Sequence, residues 1–120
     1  MYKELMANEF ENEIKKNPNA VVIDVRTTGE YQAGHIPNAL NIDISSAEFP
    51  DKINTLDRTK DYYVYCRSGS RSSTACLYMV SLGFKNVIIF MAVFYLMKEN
   101  LYKRTIKSKI KIKNQSLWIS

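Results

Sequence analysis

Cys66 and the residues that follow it form the segment of this chain best suited to chemistry. Cys66 is followed by Arg67, Ser68, Gly69, Ser70 and Arg71. This run joins an apolar segment, residues 62–65, to a helix predicted to start near Ser72. A thiol that ends a strand and faces the N–H groups of a tight loop and a helix N-terminus lies where negative charge is stabilised. We therefore expect a nucleophilic thiolate near neutral pH, held in an anion-binding loop.

The other loop residues suit an anionic substrate. Backbone N–H groups of residues 67–72 can surround an anion, and Gly69 allows a backbone conformation that other residues resist. Arg67 and Arg71 would attract and orient the substrate. The alternative is that Cys66 is a buried, inert thiol and both arginines are solvated. The combination of cysteine, glycine and two arginines at a strand-to-helix junction favours the functional interpretation.

Length and composition predict one globular domain. The chain has 120 residues, of which 46% are hydrophobic and 24% charged, enough for one modest core. The N-terminus lacks the apolar core of a secretory signal, so a cytoplasmic location is the default expectation. The longest apolar run, residues 87–97, is too short for a transmembrane helix, which needs about 20 residues, and is interpreted as buried core.

The two cysteines are expected to be reduced and to have separate roles. Cys76 falls on the helix after the loop and is most simply a small core residue, with a resolving thiol as the alternative. The single histidine and the absence of a paired cysteine motif predict no metal site and no cofactor.

The net charge of +5 is concentrated near the C-terminus. Residues 98–120 contain seven basic residues and one acidic residue, so the rest of the chain is close to neutral. Three isoleucines and Ser108 alternate with four lysines in residues 106–113, a pattern that could add an edge strand or pair with a second molecule. A solvated extension is the simpler interpretation. No aromatic residues interleave with the lysines, which argues against nucleic-acid or membrane binding by this tail.

Strands and helices alternate in the predicted structure. The sequence predicts strands at residues 20–25, 38–42, 62–65 and 86–90. Helices are predicted between Asn8 and Asn17, and at residues 28–33, 47–53 and 72–82. This order indicates an α/β layered fold, in which catalytic groups lie at the carboxyl ends of the strands. Asp24 and Cys66 both fall at such ends.

Four further residues are expected to support the loop. Asp24 and Arg26 would fix a strand end by hydrogen bonds or an ion pair, and Glu30 lies four residues from Arg26. His35 could be a general base, but its place in a Gly-His-Ile-Pro turn favours a structural hydrogen bond. A supporting role is preferred to a catalytic one for each.

Two separate motifs resemble those of rhodanese domains. The first is formed by Asp24, Val25, Arg26, Glu30, Tyr31 and residues 34–39, and the second is the loop from Cys66 to Arg71. The resemblance implies a rhodanese-like domain at residues 1–100, with a basic extension at residues 101–120. It implies a central five-stranded parallel sheet flanked by helices on both faces.

The resemblance also implies an activity, that of a thiosulfate sulfurtransferase. A sulfane sulfur would pass from thiosulfate or a polysulfide to Cys66 as a persulfide, and then to a thiol, a sulfur-carrier protein or cyanide. Residues 67–72 would bind the small anionic donor.

Phosphate or arsenate chemistry is the main rival activity. Loops of the tyrosine-phosphatase type place five residues between the cysteine and the arginine, whereas four separate Cys66 from Arg71. The shorter loop makes a smaller cradle, better suited to one sulfur atom than to a phosphate group.

The chain departs from the family pattern after the last predicted strand. Where the family usually has a glycine pair, Ala92 and Val93 occur here. If either position needs a positive φ angle, the side chain would cost on the order of 1–3 kcal/mol. The second hypothesis is therefore a catalytically weakened binding or regulatory module.

Overall fold

The computed structural model describes the backbone of residues 2–5 and residues 12–90. Within these ranges there are five strands: β1 Tyr2–Leu5, β2 Ala20–Asp24, β3 Leu40–Asn41, β4 Asp61–Tyr65 and β5 Asn86–Phe90. Residues 12–15 are helical (α1). The other helices are α2 Thr28–Ala33, α3 Phe49–Asn54 and α4 Ser70–Ser81.

The strands form one parallel sheet in the order β1-β5-β4-β2-β3. Asp24, the last residue of β2, pairs with Tyr65, the last residue of β4. The N–H of Val25 then donates to the carbonyl of Tyr65 at 3.0 Å. The carboxyl ends of β2 and β4 therefore lie side by side, which confirms the predicted α/β fold. Both motifs lie at the carboxyl ends of the strands.

Alternating residues of the central strands bury both faces of the sheet, as the period of a strand requires. One core contains Ile23, Val64 and Ile89 with Ile53 of α3 and Met79 of α4. The opposite core contains Val22, Tyr63 and Ile88, against which Ile14 of α1 and Tyr31 of α2 pack. Helices therefore cover both faces, as expected.

Several element boundaries differ from the prediction. The strand predicted at residues 38–42 is reduced to Leu40–Asn41, because Asn38 has a φ angle of 68° and belongs to a turn. The third helix begins at Phe49 rather than at residue 47, with a proline in its first turn. β1 was not predicted, since its four residues mix polar and apolar side chains and its position comes from pairing with β5.

The sequence also places the start of α4 incorrectly. The helix begins at Ser70, two residues earlier than predicted, because Gly69 is its N-cap. Ser70 and Arg71 therefore belong to the first helical turn, and only residues 67–69 form the loop after Cys66.

Some sequence predictions lie outside the described residues. Among these are Ala92 and Val93, the extension at residues 101–120, and the proposed helix cap at Asn8. In residues 2–5 and 12–90, no helix has the length and apolar character needed to cross a membrane.

Candidate active site

Cys66 lies directly after β4, and its side chain is enclosed by its own loop. The residue is 1% exposed. Its Sγ accepts hydrogen bonds from the backbone N–H groups of Gly69, at 3.1 Å, and Ser72, at 3.3 Å. The Ser72 hydroxyl lies 3.4 Å from Sγ and accepts a hydrogen bond from the thiol. Two N–H groups and one hydroxyl thus converge on the sulfur.

Gly69 gives the loop this shape. Its φ and ψ angles of 99° and −15° lie in the left-handed region, which costs a residue with a side chain about 1–2 kcal/mol. Its carbonyl accepts the N–H of Ser73 at 2.9 Å, as an N-cap does, and the Ser72 hydroxyl at 3.2 Å. The turn therefore directs the N–H groups of Gly69 and Ser72 toward the sulfur, at the N-terminus of α4, where the helix dipole favours negative charge.

Arg71 is held by a carboxylate from another helix. Its two terminal nitrogens, Nη1 and Nη2, donate to the two oxygens of Glu30 at 2.8 and 3.2 Å. Glu30 is therefore paired with Arg71 and not with Arg26. The hydrogen bonds from Arg71 are the main reason that the pKa of Glu30 falls to about 2. The same bonds, together with attraction to Cys66, raise the pKa of Arg71.

Other side chains of the loop and of the start of α4 are exposed to solvent. Arg67, Ser68 and Ser70 are all exposed. Within the described part of the chain, Arg67 has no ion pair. The structure therefore distinguishes the two arginines that the sequence treats alike: Arg71 is paired and half-buried, and Arg67 is a solvated cation next to the cysteine.

Beneath the loop, Asp24 and Arg26 form a buried ion pair. Nη2 of Arg26 lies 2.7 Å from Oδ2 of Asp24 and also donates to the carbonyl of Gly34 at 2.7 Å. Burial alone would lower the pKa of Arg26, but the hydrogen bonds and the charge of Asp24, together with smaller contributions from Tyr65, outweigh this effect and raise it. The pair joins the end of β2 to the turn after α2. The sequence predicts hydrogen bonds or an ion pair between Asp24 and Arg26, and their contact is both.

Tyr65 is part of this network, although the sequence indicates only an apolar strand residue. Its hydroxyl donates to Oδ2 of Asp24 at 2.7 Å and accepts the backbone N–H of Ile36 at 3.0 Å. Burial, and then the charge of Asp24, raise the pKa of Tyr65 well above its ordinary value. The Asn41 amide adds two hydrogen bonds, to the carbonyls of Asp24 and Arg26. The only sequence signal for Tyr65 is its position, directly before the cysteine.

The contacts of His35 are with Tyr31. Its Nδ1–H donates to the carbonyl of Tyr31 at 2.8 Å, and the two rings stack with their centroids 3.6 Å apart. These contacts fix the turn after α2 and agree with a structural hydrogen bond.

Cys76 lies on α4, belongs to the core that this helix covers, and is fully buried. Burial, with a smaller contribution from the charge of Cys66, raises the pKa of this thiol to about 12. A thiol that stays protonated is a poor nucleophile, which favours the interpretation of Cys76 as a core residue.

Comparison with known proteins agrees with this architecture. The family model described as "Rhodanese-like domain" matches residues 6–92. The chain belongs to the rhodanese-like family. The match includes both strand ends, the Asp24–Arg26 pair and the whole of the Cys66 loop.

Individual rhodanese-like relatives differ in size and in name. A protein named "Putative sulfurtransferase YtwF" from Bacillus subtilis (strain 168) is 38% identical over 85 residues, which cover 71% of this chain and 81% of that protein. A "tRNA uridine(34) hydroxylase" from Hamiltonella defensa is 37% identical over 87 residues, 69% of this chain but only 24% of its own length. The shared region of the hydroxylase is therefore one part of a much longer protein.

A solved structure provides the fold comparison. A rhodanese-related protein from Thermoplasma volcanium has a TM-score of 0.68 and 33% identity, covering 82% of this chain and 93% of that one. The sheet and helices described above are thus those of a small rhodanese-like domain.

Proposed function

We propose that this protein is a sulfurtransferase that carries a sulfane sulfur on Cys66. In the first half-reaction, the Cys66 thiolate attacks the outer sulfur of thiosulfate and forms an S–S bond to it. The S–S bond of thiosulfate breaks, and sulfite leaves with its electron pair. In the second, a thiol or cyanide attacks the outer sulfur, and the Cys66 thiolate leaves with its electron pair. No external oxidant or reductant is needed.

The observation that carries this proposal is the convergence of hydrogen-bond donors on Sγ. The N–H groups of Gly69 and Ser72 stabilise negative charge on sulfur in a site from which water is largely excluded. The Ser72 hydroxyl, which now donates to the carbonyl of Gly69, can rotate to donate to an anionic sulfur. Both the thiolate and a persulfide are anions of this kind, so the same cradle serves both states.

The pairing of Arg71 favours sulfur over phosphate. Phosphate capture needs a guanidinium that is free to make two parallel hydrogen bonds to the oxyanion. Here Nη1 and Nη2 of Arg71 each donate to Glu30, so this bidentate face of the guanidinium is not free for an oxyanion. This contact adds to the shorter loop as an argument against a phosphatase or an arsenate reductase.

Further features of the proposal follow from the reaction class. The donor is a small anion, and the acceptor is a thiol, a sulfur-carrier protein or cyanide. We propose a cytoplasmic location, where the thiols of Cys66 and Cys76 stay reduced. The Bacillus subtilis relative, which is named a putative sulfurtransferase, supports sulfur transfer in a chain of similar length.

Thiosulfate:cyanide turnover tests the proposal. The wild-type protein should form thiocyanate, Cys66→Ser should form none above background, and Cys76→Ala should retain most of the activity. The second variant is a matched control, because it also removes a buried thiol of the same core. Turnover by Cys66→Ser would refute the mechanism. An inert wild-type protein that remains folded would favour the binding-module hypothesis.

A further inference from the structure

The N-terminus of α4 lacks the groups that usually stabilise the start of a helix. Its N-cap is Gly69, which has no side chain to accept the first N–H groups. Residues 70–73, the first turn, contain no acidic residue, and their only charge is the cation Arg71. Because a helix N-terminus carries partial positive charge, a cation in the first turn is unfavourable. The N–H groups that face Sγ therefore belong to a turn that needs support from elsewhere in the fold.

Glu30 of α2 supplies this support. Its two carboxylate oxygens accept hydrogen bonds from Nη1 and Nη2 of Arg71 at 2.8 and 3.2 Å. Arg71 directly precedes Ser72, whose N–H donates to Sγ of Cys66 at 3.3 Å. The carboxylate thus brings to the first turn the negative charge that the turn itself lacks. It also anchors the backbone one residue away from a donor to the sulfur.

Thr27 in turn fixes the carboxylate of Glu30. Its N–H donates to Oε1 at 3.0 Å, and its hydroxyl donates to the same oxygen and accepts the N–H of Glu30, both at 3.2 Å. This capping box begins α2 directly after Arg26, whose guanidinium is in the buried pair with Asp24. Nη2 of Arg26 also donates to the carbonyl of Gly34, the C-cap of α2, at 2.7 Å. The helix is therefore held at both ends, although none of its residues is buried.

We propose that Thr27 and Glu30 are positioning residues of the active loop, and that they act through Arg71. They hold the first turn of α4 so that the N–H of Ser72 stays directed at Sγ. This inference rests on the proposed function and adds the residues that keep its site in shape. When the tie between α2 and α4 is cut, negative charge on the sulfur loses part of its stabilisation.

Thr27→Val tests the positioning role without changing any charge. The substitution removes the hydroxyl that holds Glu30 but keeps the shape of the side chain, and Thr27→Ser keeps the hydroxyl. Thr28→Val is the matched control, because Thr28 is the next residue of the chain and is also exposed.

The amide proton resonance of Ser72 measures the geometry of the turn without any sulfur transfer. A hydrogen bond to sulfur moves this resonance downfield, so it should move upfield in Thr27→Val and Glu30→Gln as the N–H turns away from Sγ. It should keep its wild-type position in Thr27→Ser and Thr28→Val. An unmoved Ser72 resonance in Glu30→Gln would overturn the proposal.

Turnover gives the functional measurement. The kcat/KM for thiosulfate should fall about threefold in Thr27→Val and about tenfold in Glu30→Gln, as expected when one hydrogen bond to an anion is weakened or lost. Thr28→Val should match the wild type, and Thr27→Ser should keep most of the activity. If Glu30 only neutralised Arg71, Glu30→Gln would leave a stronger cation near the sulfur and would raise kcat/KM. An increase would therefore contradict the positioning role.

The Arg71→Met background shows whether the effect passes through Arg71. This substitution removes the guanidinium but keeps a long, unbranched side chain. Glu30→Gln should then cause no further change in kcat/KM, because the contact that it breaks is already absent. A further loss in the double variant would show that Glu30 acts by another route and would refute the proposal.

Failure of this proposal is distinguishable from failure of the proposed function. A folded wild-type protein without turnover would refute sulfur transfer, and the Ser72 resonance would still test the tie between α2 and α4. In an active protein, an unmoved resonance and unchanged kcat/KM in Glu30→Gln would refute only the roles of Thr27 and Glu30.

Discussion

Removing the hydroxyl of Tyr65 should destabilise the protein more than the same change at Tyr62 in the same strand. Tyr65→Phe deletes a 2.7 Å hydrogen bond to the buried carboxylate of Asp24 and leaves the N–H of Ile36 without its acceptor. A hydrogen bond to a charged group contributes about 1.5–3 kcal/mol, and an unsatisfied buried donor costs about 1–3 kcal/mol. The free energy of unfolding should therefore fall by about 3–5 kcal/mol, a large part of the roughly 5–15 kcal/mol of an ordinary domain.

The matched control is Tyr62→Phe, the same substitution three residues earlier in β4. The Tyr62 hydroxyl donates to the backbone carbonyl of Asp57 at 2.8 Å in a partly buried position. This loss should cost only about 0.5–1.5 kcal/mol. Urea denaturation of both variants, followed by circular dichroism, measures the difference. Equal losses would refute the conclusion that Tyr65 and Asp24 form the central buried network beneath the active loop.

Three further predictions concern the loop and its support. Because the pKa of Glu30 is about 2 in the folded protein and near 4.5 otherwise, its pairing stabilises fully above pH 4.5 and is lost as the pH falls toward 2. With allowance for solvent screening this is about 1 kcal/mol, and the difference in unfolding free energy between the wild type and Glu30→Gln should shrink over that pH range. A difference independent of pH would contradict this reasoning. Gly69→Ala should lose about 1–2 kcal/mol and most of its turnover, because φ is 99° at this position, whereas Gly29→Ala in α2 meets no atom within 4 Å and should be neutral or stabilising. Denaturation curves and turnover of the two alanine variants test this prediction. Equal stability and activity in both would show that the loop accepts a side chain at position 69 without strain. Ser72→Ala should reduce turnover about tenfold, the effect of one hydrogen bond to sulfur, while Ser73→Ala in the same helix should not. Equal activity in both serine variants would exclude a role for the Ser72 hydroxyl.

The sequence predicts the α/β class and most of the central strands because their apolar runs are long and clearly bounded. The helix predicted at residues 28–33 and ended by Gly34 has these bounds in the structure, where Thr27 and Glu30 also form a capping box at its start. The edge strands are harder to predict. β1 is short and mixed in character, and the turn at Asn38 shortens β3.

Contacts between distant residues explain what the sequence does not reveal at the site. Arg71 and Glu30 are 41 positions apart, and so are Tyr65 and Asp24, so local spacing cannot pair them. The two loop arginines look equivalent in the sequence, and only the fold shows that one of them is neutralised. The predicted start of α4 is wrong because Gly69, in the left-handed conformation, ends the loop earlier than the residue pattern indicates.

The most direct test of sulfur transfer is the mass of the protein after treatment with thiosulfate. The proposed mechanism predicts that the wild type gains the mass of one sulfur atom, that dithiothreitol removes it, and that peptide mapping places it on Cys66. Cys66→Ser should gain nothing under the same conditions, and Cys76→Ala should behave as the wild type. A folded wild-type protein that gains no sulfur, or that gains it at Cys76, would contradict the account.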